Sequence, residues 1–250
     1  MEEKLFLEYA HGQLCALFEP ADTKTIVIFC HGLASSKASR INQALRPLLH
    51  KDGIATLALD LYAHGESDGK FEQLTISKGY DGLKRAYDFA VEKGYENIVF
   101  SGSSFSGVVC LLGAARLDCA SFTLKSPVFD YLRLWKTRLG EDGMQKWKED
   151  RYFDIWGRKL GYGFYEDAMR IDVRRITRSI HAPALLVHGD KDDWVPLDHS
   201  QEAYTLLQGE KTLHVIRGAN HFYKELPHFK EMVTVVHHWL RKKFTVPRGE

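Results

Sequence analysis

Short apolar runs alternate with longer amphipathic segments along most of the chain. From residue 25 onward, the apolar runs predict buried strands, because a strand that is covered on both faces is apolar along its whole length. The predicted strands are 25–30, 54–60, 97–102, 121–126, 184–190 and 211–218. Intervening segments with apolar residues at every third or fourth position predict helices at 42–50, 77–93, 105–115, 199–208 and 227–243. This alternation predicts an α/β fold with a mostly parallel sheet and helices on both faces.

Two further strands are predicted before the first parallel strand, at 4–9 and 13–19. They are separated by the turn pair His11-Gly12. A short turn between two such runs is typical of an antiparallel hairpin, which we expect at one edge of the sheet.

The stretch between the fourth and fifth parallel strands is much longer than an ordinary connection. It is rich in Trp, Tyr and Phe, whereas disordered segments are poor in aromatic residues. We therefore predict a core domain formed by residues 1–127 and 181–250, with residues 128–180 inserted as a helical cap, or lid.

A serine-rich turn follows the strand 97–102 and precedes the helix 105–115. Its sequence is Gly102-Ser103-Ser104-Phe105-Ser106-Gly107. A serine at the tip of a sharp strand-to-helix turn is held exposed above the sheet, and small residues around it allow strand and helix to approach. The register favours Ser104 as a nucleophile over Ser103 and Ser106, and Ser106 departs from the usual G-x-S-x-G pattern. The alternative is a serine-rich helix cap without chemistry.

A serine hydroxyl needs a base to take its proton and a third group, usually a carboxylate, to orient that base. The loop after strand 184–190 offers three carboxylates, Asp190, Asp192 and Asp193. We choose Asp192 because it lies at the tip of the loop in the pattern G-x-x-D-x-x-V-P, whereas Asp190 closes the strand and Asp193 caps or solvates the turn.

The base is predicted to be His221, in the loop that follows strand 211–218. From there it can reach both Ser104 and Asp192, and the chain order Ser, Asp, His is the one expected for an α/β-hydrolase. Acyl transfer also needs two N–H donors for the oxyanion. We predict the backbone N–H groups of Phe105 and Leu33, with His31 beside Leu33 either structural or lining the substrate site.

Composition narrows the function classes further. With 34 Lys and Arg against 33 Asp and Glu, the formal charge is +1, which gives no basic excess for nucleic-acid binding. There is no apolar run long enough to span a membrane and no recognisable secretory leader, so we expect a cytoplasmic protein. The four cysteines show no zinc-ligand spacing and are expected to be buried free thiols.

These motifs together resemble the α/β-hydrolase superfamily across nearly the whole chain. The resemblance is nearest to bacterial cinnamoyl and feruloyl esterases, monoglyceride-lipase-like enzymes and serine aminopeptidase-type hydrolases. It is carried by the elbow at Ser104 and by four further segments: Cys30-His31-Gly32-Leu33, Asp60 to Ser67, Gly189 to Pro196 and Gly218 to Phe222. It implies the triad Ser104, Asp192 and His221, oxyanion donors at Leu33 and Phe105, a cap over the site, and no metal or organic cofactor. It also implies that the loop around His64 is a structural turn.

The expected activity is that of a serine esterase acting on small to medium acyl or aromatic esters, with an aromatic cap forming an apolar pocket. The same machinery serves acyltransferases, thioesterases and peptidases or amidases, and these stay open. A further alternative is a non-catalytic ligand-binding receptor with the same fold. The expected partner is a small-molecule ester, and the chain is expected to act as a monomer or homodimer.

Overall fold

The computed structural model describes residues 2–245, so residue 1 and residues 246–250 of the predicted core domain lie outside the described residues. Strands β1 to β10 are Glu3–Tyr9, Gly12–Glu19, Thr25–Cys30, Ala55–Leu59, Asn97–Ser103, Ser121–Lys125, Tyr152–Ile155, Arg158–Gly161, Ala184–Gly189 and Lys211–Ile216. Helices α1 to α8 are Arg40–Lys51, Ile76–Glu92, Ser106–Arg116, Tyr131–Asp150, Gly163–Met169, Val173–Thr177, Asp198–Leu206 and Leu226–Phe244. A short 3₁₀ turn at Phe71–Gln73 precedes α2.

Eight strands form one sheet in the order β1-β2-β4-β3-β5-β6-β9-β10. The hairpin β1–β2 is antiparallel and pairs with β4 in the antiparallel sense, whereas all the other pairings are parallel. This confirms the predicted α/β-hydrolase arrangement of a mostly parallel sheet with an antiparallel hairpin at one edge.

The central strands are apolar because both of their faces are covered. Every residue of β3, β4 and β9 is buried. One apolar cluster packs beneath α2 and α3 and includes Phe100 and Leu83, and a second lies beneath α1 and α8 and includes Leu45 and Val236. Covering both faces fixes the sheet rigidly, so that the loops at its carboxyl edge project from an ordered base.

The strand order reverses between β3 and β5, which are neighbours in the sheet. The chain leaves β3 toward β4 on one side and returns to β5 on the other, so the loops that follow β3 and β5 diverge and leave a crevice. Cys30 pairs with Gly102 in this register, which places the ends of the two strands together. The crevice at the carboxyl edge is where a ligand binds in open sheets of this kind.

The insertion between β6 and β9 is folded and contains helices α4, α5 and α6. It also contains the antiparallel hairpin β7–β8, which the sequence analysis did not predict. Helix α4 is interrupted at Gly140, whose backbone is not helical. Trp147, Phe164 and Leu160 of the insertion belong to the same apolar cluster as the strands of the main sheet, so cap and core share one core.

Candidate active site

Ser104 occupies a strained turn between β5 and α3. Its φ is +51°, a left-handed conformation that residues other than glycine rarely adopt. The turn is held by its own backbone, since the Ser104 N–H donates to the Lys125 carbonyl at 3.0 Å and the Ser104 carbonyl accepts from Gly107 and Val128 at 2.9 Å each. The side chain is thereby fixed at the carboxyl edge of the sheet, in the position predicted for the elbow.

Two glycines allow this turn to be tight. A Cβ atom at Gly102 would lie 2.7 Å from Cys110 Sγ, and one at Gly107 would lie 2.6 Å from Pro127 Cβ. Both distances are shorter than real Cβ contacts, so a larger residue at either position would push strand and helix apart.

Ser106, which stands where the usual motif has glycine, is fully buried and takes part in the elbow's hydrogen bonds. Its Oγ donates to the Cys30 carbonyl at 2.6 Å and accepts from the Ser103 N–H at 2.7 Å. The hydroxyl therefore links the end of β3 to the nucleophile turn, and its position inside the protein excludes it as the reacting group.

The structure brings Ser104, His221 and Asp192 into one hydrogen-bonded chain. His221 Nε2 lies 2.9 Å from Ser104 Oγ, and His221 Nδ1 lies 2.7 Å from Asp192 Oδ2. With Asp192 ionised, Nδ1 carries the proton and Nε2 is free to accept the serine proton. The three residues come from the loops after β5, β9 and β10, which meet at one edge of the sheet.

Asp192 is buried, and its two oxygens have different partners. Oδ1 accepts from the backbone N–H groups of Trp194 and Val195 at 3.0 and 2.8 Å, while Oδ2 faces His221 and lies 3.3 Å from His188 Nε2. Burial favours the neutral acid, but the hydrogen bonds from His188 and His221 outweigh it and hold the pKa of Asp192 well below its usual range.

The two alternative carboxylates do not face His221. Asp190 Oδ1 accepts from the Gly218 N–H at 2.6 Å, so it ties the aspartate loop to the histidine loop. Asp193 offers its backbone carbonyl to Arg138.

His188 also contacts Asp192, and it was not among the site residues predicted from the sequence. It lies within β9 and resembles a strand residue in the sequence, and only the fold reveals that its ring backs Asp192.

Burial lowers the pKa of His221, with the nearby positive charge of Lys125 adding to this effect and the Asp192 carboxylate opposing it. The imidazole is thus kept neutral and able to act as a base at pH values below those at which an ordinary histidine protonates.

The predicted oxyanion donors lie beside the serine. Gly32 approaches it so closely that a Cβ there would be 3.4 Å from Ser104 Cβ. Within residues 2–245, neither the Leu33 N–H nor the Phe105 N–H donates to another protein group.

Two buried histidines support the loop that carries Leu33. His31 Nδ1 lies 2.7 Å from the Gly32 carbonyl and its Nε2 accepts from the Leu61 N–H at 3.0 Å, while His64 Nε2 accepts from the Ala34 N–H at 3.1 Å. Burial lowers the pKa of His31 to about 4 and that of His64 to about 3, so both rings are neutral acceptors. Of the two alternatives for His31, the structural one therefore applies, and the loop around His64 is a structural turn.

An open cleft of about 500 Å³ lies over Ser104 and His221. Its apolar lining comes chiefly from the core, and includes Leu33, Ile41, Phe222, Tyr223, Phe229 and Met232. The cap contributes only Trp156 and Arg158 to this lining. The expectation that cap aromatics form the pocket is therefore wrong for most of them, because Trp135, Trp147 and Phe164 are buried in the apolar core that cap and sheet share.

One group of side chains has the composition of a metal site. Cys15, Asp60 and Glu66 place potential ligand atoms within 4.8 Å of one another. The Lys37 ammonium donates to both Asp60 and Glu66, however, and Glu66 also accepts from Lys4. These bonds lower the pKa of Glu66 to about 2, and the two ion pairs of Lys37 fix the chain ahead of α1.

No helix among residues 2–245 combines the length and hydropathy required to cross a bilayer.

The comparisons with known proteins agree with the fold. The chain belongs to the alpha/beta hydrolase family, whose sequence model matches residues 27–237. The protein YqkD of Bacillus subtilis, which is uncharacterized, is 26% identical over 212 residues. The match covers 81% of this chain and 66% of YqkD, so the chain spans about two thirds of that relative.

Solved structures resemble the chain over nearly its full length. The structure of Est1E from Butyrivibrio proteoclasticus with ferulic acid bound is 26% identical, with a TM-score of 0.85 over 96% of this chain and 98% of that one. Mouse alpha/beta hydrolase domain-containing protein 10 is 18% identical, with a TM-score of 0.82 over 96% of this chain and 99% of that one, and this likeness shows the fold alone.

Proposed function

We propose that the protein is a serine esterase that hydrolyses carboxylic esters through an acyl-enzyme intermediate. The observation that carries the proposal is the hydrogen-bonded chain from Asp192 through His221 to Ser104 at the floor of an open cleft. A serine that only capped a helix would not need a buried imidazole on its hydroxyl and a buried carboxylate behind it.

In the proposed reaction, Ser104 Oγ attacks the ester carbonyl while His221 Nε2 takes its proton. Asp192 stays ionised and stabilises the resulting imidazolium. The negative charge that develops on the carbonyl oxygen is stabilised by the N–H groups of Leu33 and Phe105. His221 then protonates the departing alcohol as the ester C–O bond breaks. In the second half of the reaction, water attacks the acyl carbonyl while His221 takes its proton, and His221 returns a proton to Ser104 Oγ as the acid is released.

The proposed substrates are small to medium acyl or aromatic esters. A cleft of about 500 Å³ with aromatic side chains at Trp156, Phe222 and Phe229 suits a ligand of that size. The bound ferulic acid in Est1E supports an aromatic acid as one class to test. We also propose a cytoplasmic setting, because Cys15, Cys30, Cys110 and Cys119 are all buried free thiols, as a reducing compartment allows.

The test compares turnover by the wild type and Ser104→Ala on p-nitrophenyl esters of increasing acyl length, methyl ferulate and a monoglyceride. Ser104→Ala should lower kcat by about ten-thousandfold or more, since the nucleophile is lost while the cleft is kept. Ser103→Ala is the matched control, because it removes the neighbouring hydroxyl and leaves the triad in place.

Near-normal activity of Ser104→Ala would refute the assignment, and so would an equal loss in Ser103→Ala. Product analysis in the presence of alcohols and thiols separates hydrolysis from acyl transfer, and thioester and amide substrates test the related activities. Ligand binding without turnover of any of these substrates would favour the receptor alternative.

A further inference from the structure

The cleft over Ser104 has an uneven charge. Three cationic side chains line it, namely Lys125, Arg40 and Arg158, and no aspartate or glutamate of the described chain is part of its lining. The sequence as a whole is almost balanced, with 34 basic and 33 acidic residues. The positive cleft is therefore a local feature and does not follow from the overall charge.

None of the three cations is neutralised by the described protein. Within residues 2–245, no carboxylate oxygen lies within 4.0 Å of Lys125 Nζ or of either guanidinium, whereas Lys37 and Arg174 each contact two carboxylates. The Arg40 guanidinium instead lies 3.7 Å from the centroid of the Phe229 ring and donates to the Tyr223 carbonyl. It is held in place by groups that leave its charge uncompensated.

Lys125 is the least exposed of the three, since it is half-buried whereas Arg40 and Arg158 are exposed. It ends β6 and pairs in register with Ser103, next to the nucleophile. Its Nζ lies 5.3 Å from the centroid of the Tyr223 ring, two residues after His221. Asp192 is the nearby carboxylate, but it is buried and its oxygens are bonded to the loop backbone and to His221. A partly buried ammonium that makes no direct ion pair is costly unless a ligand supplies a partner.

We propose that the cleft recognises esters that carry a second, negatively charged group, with Lys125 as the main contact for the charge and Arg40 and Arg158 flanking it. This inference rests on the proposed esterase function and names its substrate class. The charge can be a carboxylate on the acid side or on the alcohol side of the ester. In either position it would pair with a cation that a neutral ester leaves without a partner.

The test uses two pairs of esters that differ mainly in charge. Meta-acetoxybenzoate and meta-acetoxybenzamide place the charge on the alcohol side, and monomethyl adipate and methyl hexanoate place it on the acid side. For at least one pair, kcat/KM should favour the charged ester. Lys125→Met should lower that preference about tenfold or more, as expected for the loss of one charged hydrogen bond.

The matched control is Lys51→Met, which removes the same charge from an exposed position at the end of α1, away from the cleft. It should leave the preference unchanged. Arg158→Gln should reduce the preference by a smaller factor, since the Arg158 side chain is exposed on the β7–β8 hairpin.

Turnover of the neutral esters with no preference for the charged ones, or a preference that Lys125→Met leaves intact, would overturn the inference and keep the esterase. Binding of the esters to the inactive variant Ser104→Ala tests the anion site separately from esterase activity. If meta-acetoxybenzoate binds this variant more tightly than meta-acetoxybenzamide does, and Lys125→Met removes the difference, the anion site stands even where no ester is cleaved. Equal binding within this pair, and also within the pair monomethyl adipate and methyl hexanoate, would refute it.

Discussion

At the residue scale, Ser106 explains how the nucleophile turn tolerates a departure from glycine. Its hydroxyl accepts from the Ser103 N–H and donates to the Cys30 carbonyl, so it satisfies two backbone groups that are buried beside the elbow. In the sequence this serine could be judged only as a slightly larger residue in a position that favours small ones. The hydrogen bonds depend on β3, which lies more than seventy residues away in the chain.

Ser106→Gly would restore the usual motif, yet we expect it to destabilise the protein. The Ser103 N–H would be left buried without a partner, which costs about 1–3 kcal/mol of unfolding free energy. Urea denaturation measures this change. Ser179→Ala, which removes an exposed serine hydroxyl, should change stability by less than about 0.5 kcal/mol. A Ser106→Gly variant as stable as the wild type would contradict this role for the hydroxyl.

The pH dependence of kcat/KM should report His221. The base must be neutral to act, and burial lowers its pKa, so the acid limb of the profile should lie below the value of about 6.5 of an ordinary histidine. The positive charge of Lys125 contributes to this lowering, so Lys125→Met should move the limb to higher pH on a neutral ester. Lys51→Met should leave the limb in place. An acid limb above pH 7 in the wild type would refute this description of His221.

Ser104, Asp192 and His221 could be proposed from the sequence because each lies in a short loop directly after a recognisable strand. The three cations of the cleft could not be predicted in this way. Lys125 looks like the last residue of a strand, Arg40 begins a helix and Arg158 lies in a cap strand, and they are more than thirty residues apart along the chain. Only the fold brings these cations to one cleft. The position of His188 behind Asp192 likewise becomes visible only in the folded structure.

At the element scale, the cap is the part of the chain that sequence patterns describe least well. Its aromatic content predicts that it folds, and it does so, but hairpin β7–β8 was not anticipated. Each of its strands has four residues and several of these are exposed, so neither alternation nor an apolar run marks them. The pair Trp156-Gly157, both with positive φ, was the available turn signal, supported by Asp154, whose Oδ1 accepts from the Gly157 N–H.

Two tryptophans of the cap should behave differently when replaced by alanine. Trp147 is 1% exposed and packs against Trp135 and Tyr162, so Trp147→Ala should lower the unfolding free energy by about 3–5 kcal/mol. Trp156 is 51% exposed at the tip of the hairpin, and Trp156→Ala should cost about 1 kcal/mol or less. Because Trp156 lines the cleft, this variant should instead raise KM for aromatic esters.

Denaturation and steady-state kinetics on both variants measure these effects. Equal losses of stability would contradict the packing described for the cap, and an unchanged KM in Trp156→Ala would contradict a substrate contact at the hairpin.

At the scale of the whole molecule, the sheet and its site follow from one property of the sequence. Strands in which apolar residues follow one another without alternation, such as 25–30 and the first four residues of 184–190, must be covered on both faces, and this leads to the parallel arrangement with loops gathered at one edge. These hydrophobic patterns do not predict the order in which the strands lie in the sheet. The crevice between β3 and β5 depends on that order, and the contribution of α8 to the cleft through Phe229 and Met232 depends on how the last helix packs across it.

Intact-protein mass spectrometry after reaction with a fluorophosphonate, followed by peptide mapping, tests whether Ser104 is an activated nucleophile. We expect one adduct on Ser104 in the folded protein, formed much more slowly in His221→Ala and absent from Ser104→Ala. An adduct on Ser103, or a folded wild type that reacts no faster than His221→Ala, would contradict this role of Ser104.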